Sequence, residues 1–228
     1  MTGGQLLLIT KAPVAGRSKT RLTPPCSADQ AAAIASAAVG DTRDTLRATP
    51  VRRRVVALDG APGDLDLTGC VVVPQVEGDL GTRLAAAFAV AMHTEPRPTL
   101  LIGMDTPQVT AVLLHAAVDR LVAAGPGTAV LGAAPDGGWW ALGLHDADHA
   151  QVLLDVPMSR EDTARRTRAA LSDAGLRVLD LPELTDIDHF ADALAVAGIC
   201  PPGSRTSRVV RSVAATLERA GRPFPPSG

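Results

Sequence analysis

The stretch that decides the fold runs from Gln5 to Leu22 and consists of QLLLITKAPVAGRSKTRL. Its first five residues, Gln5–Ile9, are an apolar run that predicts a buried first strand. A loop that leaves the carboxyl end of a first strand is where open α/β sheets bind nucleotides. Backbone N–H groups and basic side chains together bind phosphate. The loop carries four such side chains: Lys11, Arg17, Lys19 and Arg21. The stretch therefore indicates a phosphate-binding loop, and a solvated basic surface loop is the alternative.

The loop does not match either of the common glycine-rich phosphate motifs. A P-loop has Gly directly before Lys-Ser/Thr, whereas Ser18 precedes Lys19 and Gly16 is the nearest glycine. The Gly-x-Gly-x-x-Gly dinucleotide turn is also missing from this loop. The phosphate-binding interpretation therefore needs support from other parts of the chain.

Composition narrows the class of protein. A chain of 228 residues can form one large domain or two small ones. Its 46% hydrophobic and 20% charged residues are ordinary for a globular protein, and a net charge of −2 argues against a general nucleic-acid binder. Three widely spaced cysteines (Cys26, Cys70 and Cys200) fit neither a disulfide framework nor a zinc site. With no membrane-spanning stretch and no signal peptide in the sequence, we expect a cytoplasmic protein.

Apolar patterns predict alternating strands and helices. Strands are expected at Gln5–Ile9, Arg54–Leu58, Val71–Val73, Thr99–Ile102, Thr128–Leu131, Trp139–Leu144 and Arg177–Leu181. Helices are expected at Ala28–Ala48 with Ser27 as N-cap, at Asp79–His93, Gln108–Ala124 and Arg160–Ala174, shortly after Asp188, and at Arg205–Ala220. Alternation of this kind predicts an α/β fold with a mostly parallel sheet and helices on both faces.

The chain divides near residue 198. Cys200-Pro-Pro-Gly203 interrupts the pattern, so residues 1–198 are predicted as the main domain and 199–228 as a C-terminal helix with a Pro-rich tail. The C-terminal helix can pack on its own chain or on a second subunit, and the second case would make a homodimer.

A carboxylate directly follows the strand predicted at Thr99–Ile102. Gly103 permits close approach of backbone or ligand, and Pro107 is expected to open the next helix. Mg²⁺ usually takes one or two carboxylates together with substrate phosphates. Asp105 is thus a candidate metal ligand, and a simple helix cap is the alternative.

A second acidic pair, Asp186-Ile-Asp188, follows the last predicted strand. Along an extended segment both carboxylates point the same way, so a second metal ligand there is geometrically reasonable. A helix N-cap at Asp188 is the competing interpretation.

The third cluster is Ala134–Ala141, which contains Asp136-Gly137-Gly138 and both tryptophans of the chain. The glycines favour a turn into a strand. On that strand Trp139 and Trp140 face opposite sides, so at most one belongs to the core and the other to a pocket. Indole suits sugars and bases as well as apolar packing, and Asp136 is a candidate for binding an acceptor hydroxyl or a metal.

The remaining candidates are fewer. Arg83 lies at a predicted helix N-terminus, where its charge opposes the helix dipole; this suggests an anionic partner, and a solvated side chain is the alternative. The five histidines show no metal-ligand spacing. The sequence also has no Gly-x-Ser-x-Gly elbow and no defensible Cys/His pair, which argues against acyl transfer.

Several motifs occur in order over roughly residues 5–197. They are Lys11–Leu22, Gly78–Leu84, Ile102–Asp105, Asp136–Trp140 and Asp186–Asp188. In this combination the chain resembles the CofC/MobA-like transferases, bacterial GT-A glycosyltransferases and nucleotidyltransferases. The resemblance implies the nucleotide-diphospho-sugar transferase fold, a Rossmann-like three-layer αβα sandwich. It implies that residues 10–21, including Ala12, Pro13 and Gly16, contact a nucleotide. It also implies that Asp105, with Asp188 as second ligand, binds Mg²⁺ or Mn²⁺.

The chain departs from that family pattern in three places. Trp139-Trp140 replaces a Tyr-rich pair and keeps an aromatic platform, whereas Pro157-Met-Ser159 stands where Trp-Ser-Thr is usual. The usual Asp-Val-Asp-Thr-Pro-Glu-Asp-Leu appears as Asp186–Ala193 with a different second half. The last two changes concern the acceptor pocket and hence the substrate.

We therefore expect a metal-dependent transferase that uses a nucleoside triphosphate or a nucleotide-sugar and a small-molecule acceptor. Lys19 and Arg21 would hold the phosphates, with Arg17 and Lys11 assisting. The acceptor side would be lined by Asp136, Gly137, Gly138 and Trp139, and Arg83 and Gly103 would also contact substrate. The single carboxylate in Gly103-Met-Asp105 favours nucleotidyl transfer to a phosphorylated acceptor over glycosyl transfer. A non-catalytic nucleotide-binding module is the third possibility.

Overall fold

A computed structural model of the chain describes residues 2–12, 16, 19–63 and 65–221. Its centre is a seven-stranded sheet in the order β3-β2-β1-β4-β6-β5-β7. The strands are β1 (Thr2–Lys11), β2 (Val51–Asp59), β3 (Val71–Pro74), β4 (Thr99–Ile102), β5 (Thr128–Ala133), β6 (Trp139–Leu144) and β7 (Arg177–Asp180).

Six α-helices are described: α1 (Ala28–Ala48), α2 (Leu80–Thr94), α3 (Ala111–Ala124), α4 (Thr163–Asp173), α5 (Phe190–Ile199) and α6 (Arg205–Arg219). Two 3₁₀ segments, Thr20–Leu22 and Ala147–Leu154, were not expected from the sequence. No helix in the described ranges is both long and apolar enough to cross a membrane.

All neighbouring strands are parallel except β6, which runs antiparallel to both β4 and β5. The predicted mostly parallel sheet is thus confirmed. Because β6 is reversed, its amino end lies at the same sheet edge as the carboxyl ends of β1 and β4, where Ile102 pairs with Ala141. This reversal places the Asp136–Trp139 segment beside the loops that follow β1 and β4.

The sheet separates two apolar layers, and β1 shows why. Its side chains alternate, so Leu6 and Leu8 pack with α1 and α3 while Leu7 packs on the other face with α2, α4 and the Ala147–Leu154 segment. Each of these leucines is essentially unexposed, and full burial of one such side chain stabilises the fold by about 1.5–3 kcal/mol. The predicted three-layer α/β sandwich is therefore confirmed.

Helix α6 packs on α1 and α5 and not directly on the sheet. A third apolar cluster, which includes Ile34, Phe190 and Val210, joins these three helices. The helix thus buries its apolar side within its own chain. The division into domains at residue 198 stays a prediction.

The helix limits match the expected ones except around two loops. Ser27 caps α1 with a capping box, as predicted. Pro107 does not open α3, because the helix begins at Ala111 with the Thr110 hydroxyl accepting from the amide of Leu113. The intervening residues form a turn, Val109 N–H to Thr106 carbonyl, and the loop holds Asp105 at the sheet edge without helical structure.

Helix α4 begins at Thr163, three residues later than predicted. The Thr163 hydroxyl donates to the carbonyl of Pro157 and accepts from the amide of Arg160, so the approach to the helix is a closed loop. Ser159 in this loop has φ +57°, in the left-handed region that few residues other than glycine adopt.

Candidate active site

A cleft of about 1110 Å³ opens at the sheet edge where β1 and β4 end and β6 begins. Such an edge is where open α/β sheets bind ligands. Ten of the predicted site residues line it: Lys11, Arg21, Arg83, Gly103, Asp105, Asp136, Gly137, Gly138, Trp139 and Asp188. Ala12 and Gly16 are not part of the lining, and Pro13 and Arg17 lie outside the described residues. The structure thus gathers most of the predicted residues around one cavity.

Lys19 and Asp105 meet at the border of this cleft. Nζ of Lys19 lies 2.8 Å from Oδ1 of Asp105 and also donates to the carbonyl of Ile187. The Lys19 side chain is only 10% exposed and is not part of the cleft lining. The pairing of loop cation and strand-end carboxylate that the prediction required is present, but the ammonium faces the carboxylate and not the open cavity.

A second ion pair lies next to the first. Nη1 of Arg21 is 2.7 Å from Oδ2 of Asp188, and the imidazole of His189 is 3.7 Å from the same oxygen. The Arg21 side chain is 62% exposed, so this pair is strongly solvated and correspondingly weak. Asp188 raises the pKa of Arg21 through the hydrogen bond and its charge.

The segment that carries Asp188 is held in place through backbone contacts. The amide of Ile187 donates to the carbonyl of Asp105 at 2.9 Å, and Nε2 of Gln108 donates to the carbonyl of Thr185 at 2.6 Å. The Ile187 side chain is buried against α1 and α5. The loops after β4 and β7 are therefore joined, which brings Asp105 and Asp188 to one place. The N-cap of α5 is His189 and not Asp188.

Sequence reasoning singled out the pair Asp186 and Asp188 but assigned the second metal ligand to Asp188 alone. The carboxyl of Asp186 lines the cleft, and its pKa is raised to about 6, first by burial and then by the charges of Asp136 and Asp105, while Lys19 opposes the rise. No local signal predicts this crowding, because it depends on three loops that meet only in the folded chain. The structure thus shows a concentration of negative charge that a cation would relieve.

The residues present fit a hard divalent cation. Oδ1 of Asp105 is buried and, within the described part of the chain, accepts no hydrogen bond besides its charge contact with Lys19. The hydroxyl oxygen of Thr106 and Oε1 of Gln108, in the same loop, are buried and have no hydrogen-bond partner among the described residues. Among the residues that the structure describes, no three His, Cys, Asp or Glu side chains form a complete metal-binding group. One or two carboxylates supplemented by phosphate oxygens are the usual surroundings of Mg²⁺.

Two interlocked loops, which carry Asp136 and Glu161, also line the cleft. Asp136 accepts a hydrogen bond from the amide of Gly138, and the carbonyl of Gly137 accepts one from the amide of Ala164 at the start of α4. Gly137 has φ +87°, and a Cβ at this position would collide with the backbone carbonyl of Glu161. Glycine is therefore required here both by conformation and by close approach.

The two tryptophans divide as predicted. Trp140 is 3% exposed, belongs to the layer beside α1 and α3, and donates its indole N–H to the carbonyl of Pro182. Trp139 is half-buried against the other layer and donates to the hydroxyl of Thr167. Both residues line the cleft, which gives it an aromatic side.

Arg83 lies in the first turn of α2, as expected, and lines the cleft. Its guanidinium is 3.4 Å from Oε1 of Gln75 and 3.9 Å from the carboxylate of Asp59. The side-chain Nε2 of Gln75 donates to the carbonyls of Thr10 and Ala57, so the position of this side chain is fixed by the sheet edge. Gln75 was not expected from the sequence, because a lone glutamine after a short strand carries no pattern.

The sequence profile of one protein family matches residues 40–160, more than half of the chain. That family is described as uncharacterized proteins conserved in bacteria and is called DUF2064. The chain belongs to this family. Among curated proteins, none matches the DUF2064 chain at the level of sequence.

Solved structures share the fold. A protein of Desulfovibrio desulfuricans G20, described as a candidate nucleotide-diphospho-sugar transferase, superposes with a TM-score of 0.83 at 24% identity, covering 96% of this chain and 98% of that one. A nucleotidyl transferase from Methanothermobacter thermautotrophicus superposes with a TM-score of 0.51 at 15% identity, covering 92% and 99%. Rv0371c of Mycobacterium tuberculosis H37Rv in complex with manganese has a TM-score of 0.51 at 20% identity, covering 86% and 98%. At these identities the likeness establishes the fold, which is the one predicted.

Proposed function

We propose that this DUF2064 protein is a divalent-metal-dependent nucleotidyltransferase that acts on a nucleoside triphosphate and a small phosphorylated acceptor. The observation that carries the proposal is the pair of ion pairs at one edge of the cleft, Lys19 with Asp105 and Arg21 with Asp188. Each couples a cation able to bind phosphate to a carboxylate able to bind a metal ion. Two solved structures of this fold are described as a nucleotidyl transferase and a manganese complex, which supports both parts of the proposal.

The ligands are assigned to different loops that line the cleft. Lys19 and Arg21 would bind the phosphates of the triphosphate, with Lys11 nearby at the end of β1. Asp136, Gly137, Gly138 and Trp139 would receive the acceptor, while Arg83 and Gly103 would contact the nucleotide. Apart from Lys19, which lies at the border, all of these residues line the one cleft.

Asp105 and Asp188 would hold the metal ion, Mg²⁺ or Mn²⁺. When bound, the metal supplies neutralisation of charge on the phosphate oxygens. The chain then has to orient an acceptor oxygen in line with the α-phosphorus and keep the leaving group bound. A phosphate oxygen of the acceptor forms the new bond, the bond between the α- and β-phosphates breaks, and pyrophosphate leaves on Lys19 and Arg21. Because a phosphate oxyanion is already nucleophilic, this route needs no general base.

Product analysis by ³¹P NMR tests the proposal. The protein is incubated with Mg²⁺ or Mn²⁺, each nucleoside triphosphate and a set of sugar phosphates and other phosphorylated small molecules, and in parallel with nucleotide-sugars. From the triphosphates we expect pyrophosphate and the signal of a new diphosphate that joins the nucleoside to the acceptor, both of which require the metal. Release of nucleoside diphosphate from nucleotide-sugars alone would instead show glycosyl transfer, and metal-independent binding without turnover would show a binding module.

A matched pair of arginine variants tests the phosphate assignment. Arg21→Gln removes a cleft cation, whereas Arg219→Gln removes an exposed guanidinium at the end of α6. We expect the first to weaken triphosphate binding by roughly tenfold, in line with loss of a charged hydrogen bond, and the second to leave it unchanged. Equal affinities in calorimetry would remove Arg21 from the phosphate site.

A further inference from the structure

Both ion pairs of the cleft use groups that the proposed function needs for other partners. Lys19 is assigned to phosphate yet contacts Asp105, and Arg21 is assigned to phosphate yet contacts Asp188. The protein without ligands thus neutralises its own site. A metal ion that uses Oδ1 of Asp105 and a triphosphate that uses Lys19 can enter together only if this contact is exchanged.

Of the two carboxylates, Asp105 is the one at which the bound side-chain cation most directly blocks a metal ion. Its Oδ1 atom is buried and contacted by Lys19, so a metal ion at bonding distance, about 2.1 Å, cannot reach that atom while the ammonium stays. The same ammonium donates to the carbonyl of Ile187, an oxygen that could also ligate a hard cation. Lys19 therefore occupies the position and contacts that suit the metal.

We propose that the Lys19 ammonium takes the place of the divalent cation at Asp105 when no metal ion is bound. When a metal ion binds Asp105, it displaces the ammonium, which then binds the phosphates of the nucleotide. The proposal rests on the proposed function, since it uses the partners assigned there to Lys19 and Asp105. The backbone at Lys19 has φ +51°, a left-handed conformation that costs about 1 kcal/mol. Residues held in this way are common where a segment changes position during function.

The exchange makes metal and nucleotide binding cooperative. A metal ion alone must break the Lys19 contact without giving the ammonium a new partner, whereas with phosphate present each charge finds another. By linkage, nucleotide raises metal affinity by the same factor as metal raises nucleotide affinity. The Arg21–Asp188 pair is far more exposed, so the Lys19 contact dominates this coupling.

The sequence offers a direct probe, because Lys11 and Lys19 are its only two lysines. The Lys11 residue is exposed, while the Lys19 side chain is 10% exposed and ion-paired. An amine-reactive acylating reagent followed by mass spectrometry therefore reports on Lys19, with Lys11 as a control in the same molecule.

In the metal-free protein we expect Lys19 to react more slowly than Lys11. Addition of Mn²⁺ should raise the Lys19 rate by at least about fivefold, the lower limit of common couplings between sites, without changing that of Lys11. A triphosphate added with Mn²⁺ should lower it again. In Asp105→Asn, Lys19 should react quickly and ignore Mn²⁺.

Mn²⁺ titration by calorimetry supplies the second measurement. Lys19→Met removes the ammonium that contacts Asp105, so we expect Mn²⁺ to bind more tightly than in the wild type by roughly 5- to 150-fold. The triphosphate should then add little to the metal affinity. Arg219→Met, which removes an exposed cation at the end of α6 away from the cleft, is the control and should stay near the wild type. Circular dichroism checks that each variant is folded. If a variant does not fold, the labelling of Lys19 in the wild-type protein tests the proposal without it.

Three results would overturn the exchange: Mn²⁺ bound to the wild type with an unchanged Lys19 rate, equal or weaker Mn²⁺ binding by Lys19→Met, or no Mn²⁺ binding by either protein. Failure of the proposed function has a different signature. If Mn²⁺ frees Lys19 but no nucleotide is turned over with any acceptor, the exchange stands and the transferase assignment is wrong.

Discussion

Two carboxylate contacts in this protein, those of Asp41 and Asp105, have opposite characters. Asp41 on α1 accepts the backbone amides of Arg205 at 3.0 Å and Thr206 at 2.7 Å, together with the Arg205 guanidinium at 3.3 Å. Asp105 has one buried oxygen with a lysine beside it and no hydrogen bond within the described residues. Asp41 is tied by backbone donors that cannot leave, whereas the partner of Asp105 is a flexible side chain.

This difference distinguishes a contact that stabilises the fold from a contact that belongs to the candidate site. Backbone N–H groups at the first turn of a helix favour a negative charge and need an acceptor, so Asp41 satisfies α6 and joins it to α1. A carboxylate that relies on a single mobile cation can exchange that cation for another. We therefore expect the Asp41 contact to contribute to stability and the Asp105 contact to ligand binding. Three experiments test this expectation.

The largest effect is expected at Asp105. Asp105→Asn removes the charge on which a metal ion depends, and several kcal/mol of lost charge stabilisation corresponds to a roughly thousandfold lower kcat/KM. The free energy of unfolding should change by less than about 1 kcal/mol, because Lys19 can turn to solvent. Steady-state kinetics and urea denaturation measure the two quantities. Asp173→Asn, an exposed carboxylate at the other end of α4, is the control. A large loss of stability with retained activity would show that Asp105 stabilises the fold and does not belong to the site.

The second experiment addresses Asp41. Asp41→Ala leaves two first-turn amides of α6 without their acceptor, while the Arg205 guanidinium keeps its ion pair with Asp44, so we expect a loss of about 2–3 kcal/mol in the free energy of unfolding. Urea denaturation measures it, and metal affinity of the folded fraction should stay as in the wild type. Asp29→Asn, at an exposed position in the first turn of the same helix, serves as the comparison variant. If Asp41→Ala weakened metal binding while stability held, Asp41 would belong to the site.

The smallest effect concerns the thiols around α6. Burial raises the pKa of Cys26 and Cys200 to about 11, and both pack in the cluster that joins α1, α5 and α6. At pH 8 we expect alkylation of these two cysteines to be at least about tenfold slower than that of the half-buried Cys70, rising with pH as thiolate forms. Mass spectrometry of partly alkylated protein gives the rates.

Alkylation rates in two variants test whether the helical layer around α6 opens independently of the cleft. Asp41→Ala should speed the alkylation of Cys26 and Cys200 because it loosens α6, whereas Asp105→Asn should not. Equal acceleration by both variants would mean that the cleft and the helical layer open together, which would contradict their separation.

Most elements of this chain could be predicted from local patterns. The apolar run Gln5–Ile9 predicts a strand that is fully buried because helices cover both faces, and Ser27 caps the helix that follows Pro25 as expected. Errors occurred where long-range hydrogen bonds overrule local preference. Pro107 suits a first helical turn, but its loop is anchored to Thr185 through Gln108 and stays non-helical. The 3₁₀ segment Ala147–Leu154 packs beneath α2 and has no periodic pattern of its own.

The site was predictable to the extent that it follows from strand ends. Residues after β1, β4 and β7 were singled out because parallel strands finish at one edge, and Asp105, Asp136 and Asp188 all line the cleft there. Gln75 was missed, and Asp186 was noted only as part of a pair and given no role of its own, since the importance of both comes from neighbours supplied by other loops. No pattern in either residue's own segment indicates those neighbours.

By itself the sequence determined the order and kind of the elements and the concentration of cations and carboxylates in particular loops. These follow from side-chain periodicity and turn chemistry, which act over a few residues. Only the tertiary structure decided that β6 reverses between β4 and β5, that Asp41 caps a helix 164 residues away, and that Lys19 rests on Asp105. Those facts depend on distances between segments remote in the chain, and such distances exist only after the layers have packed.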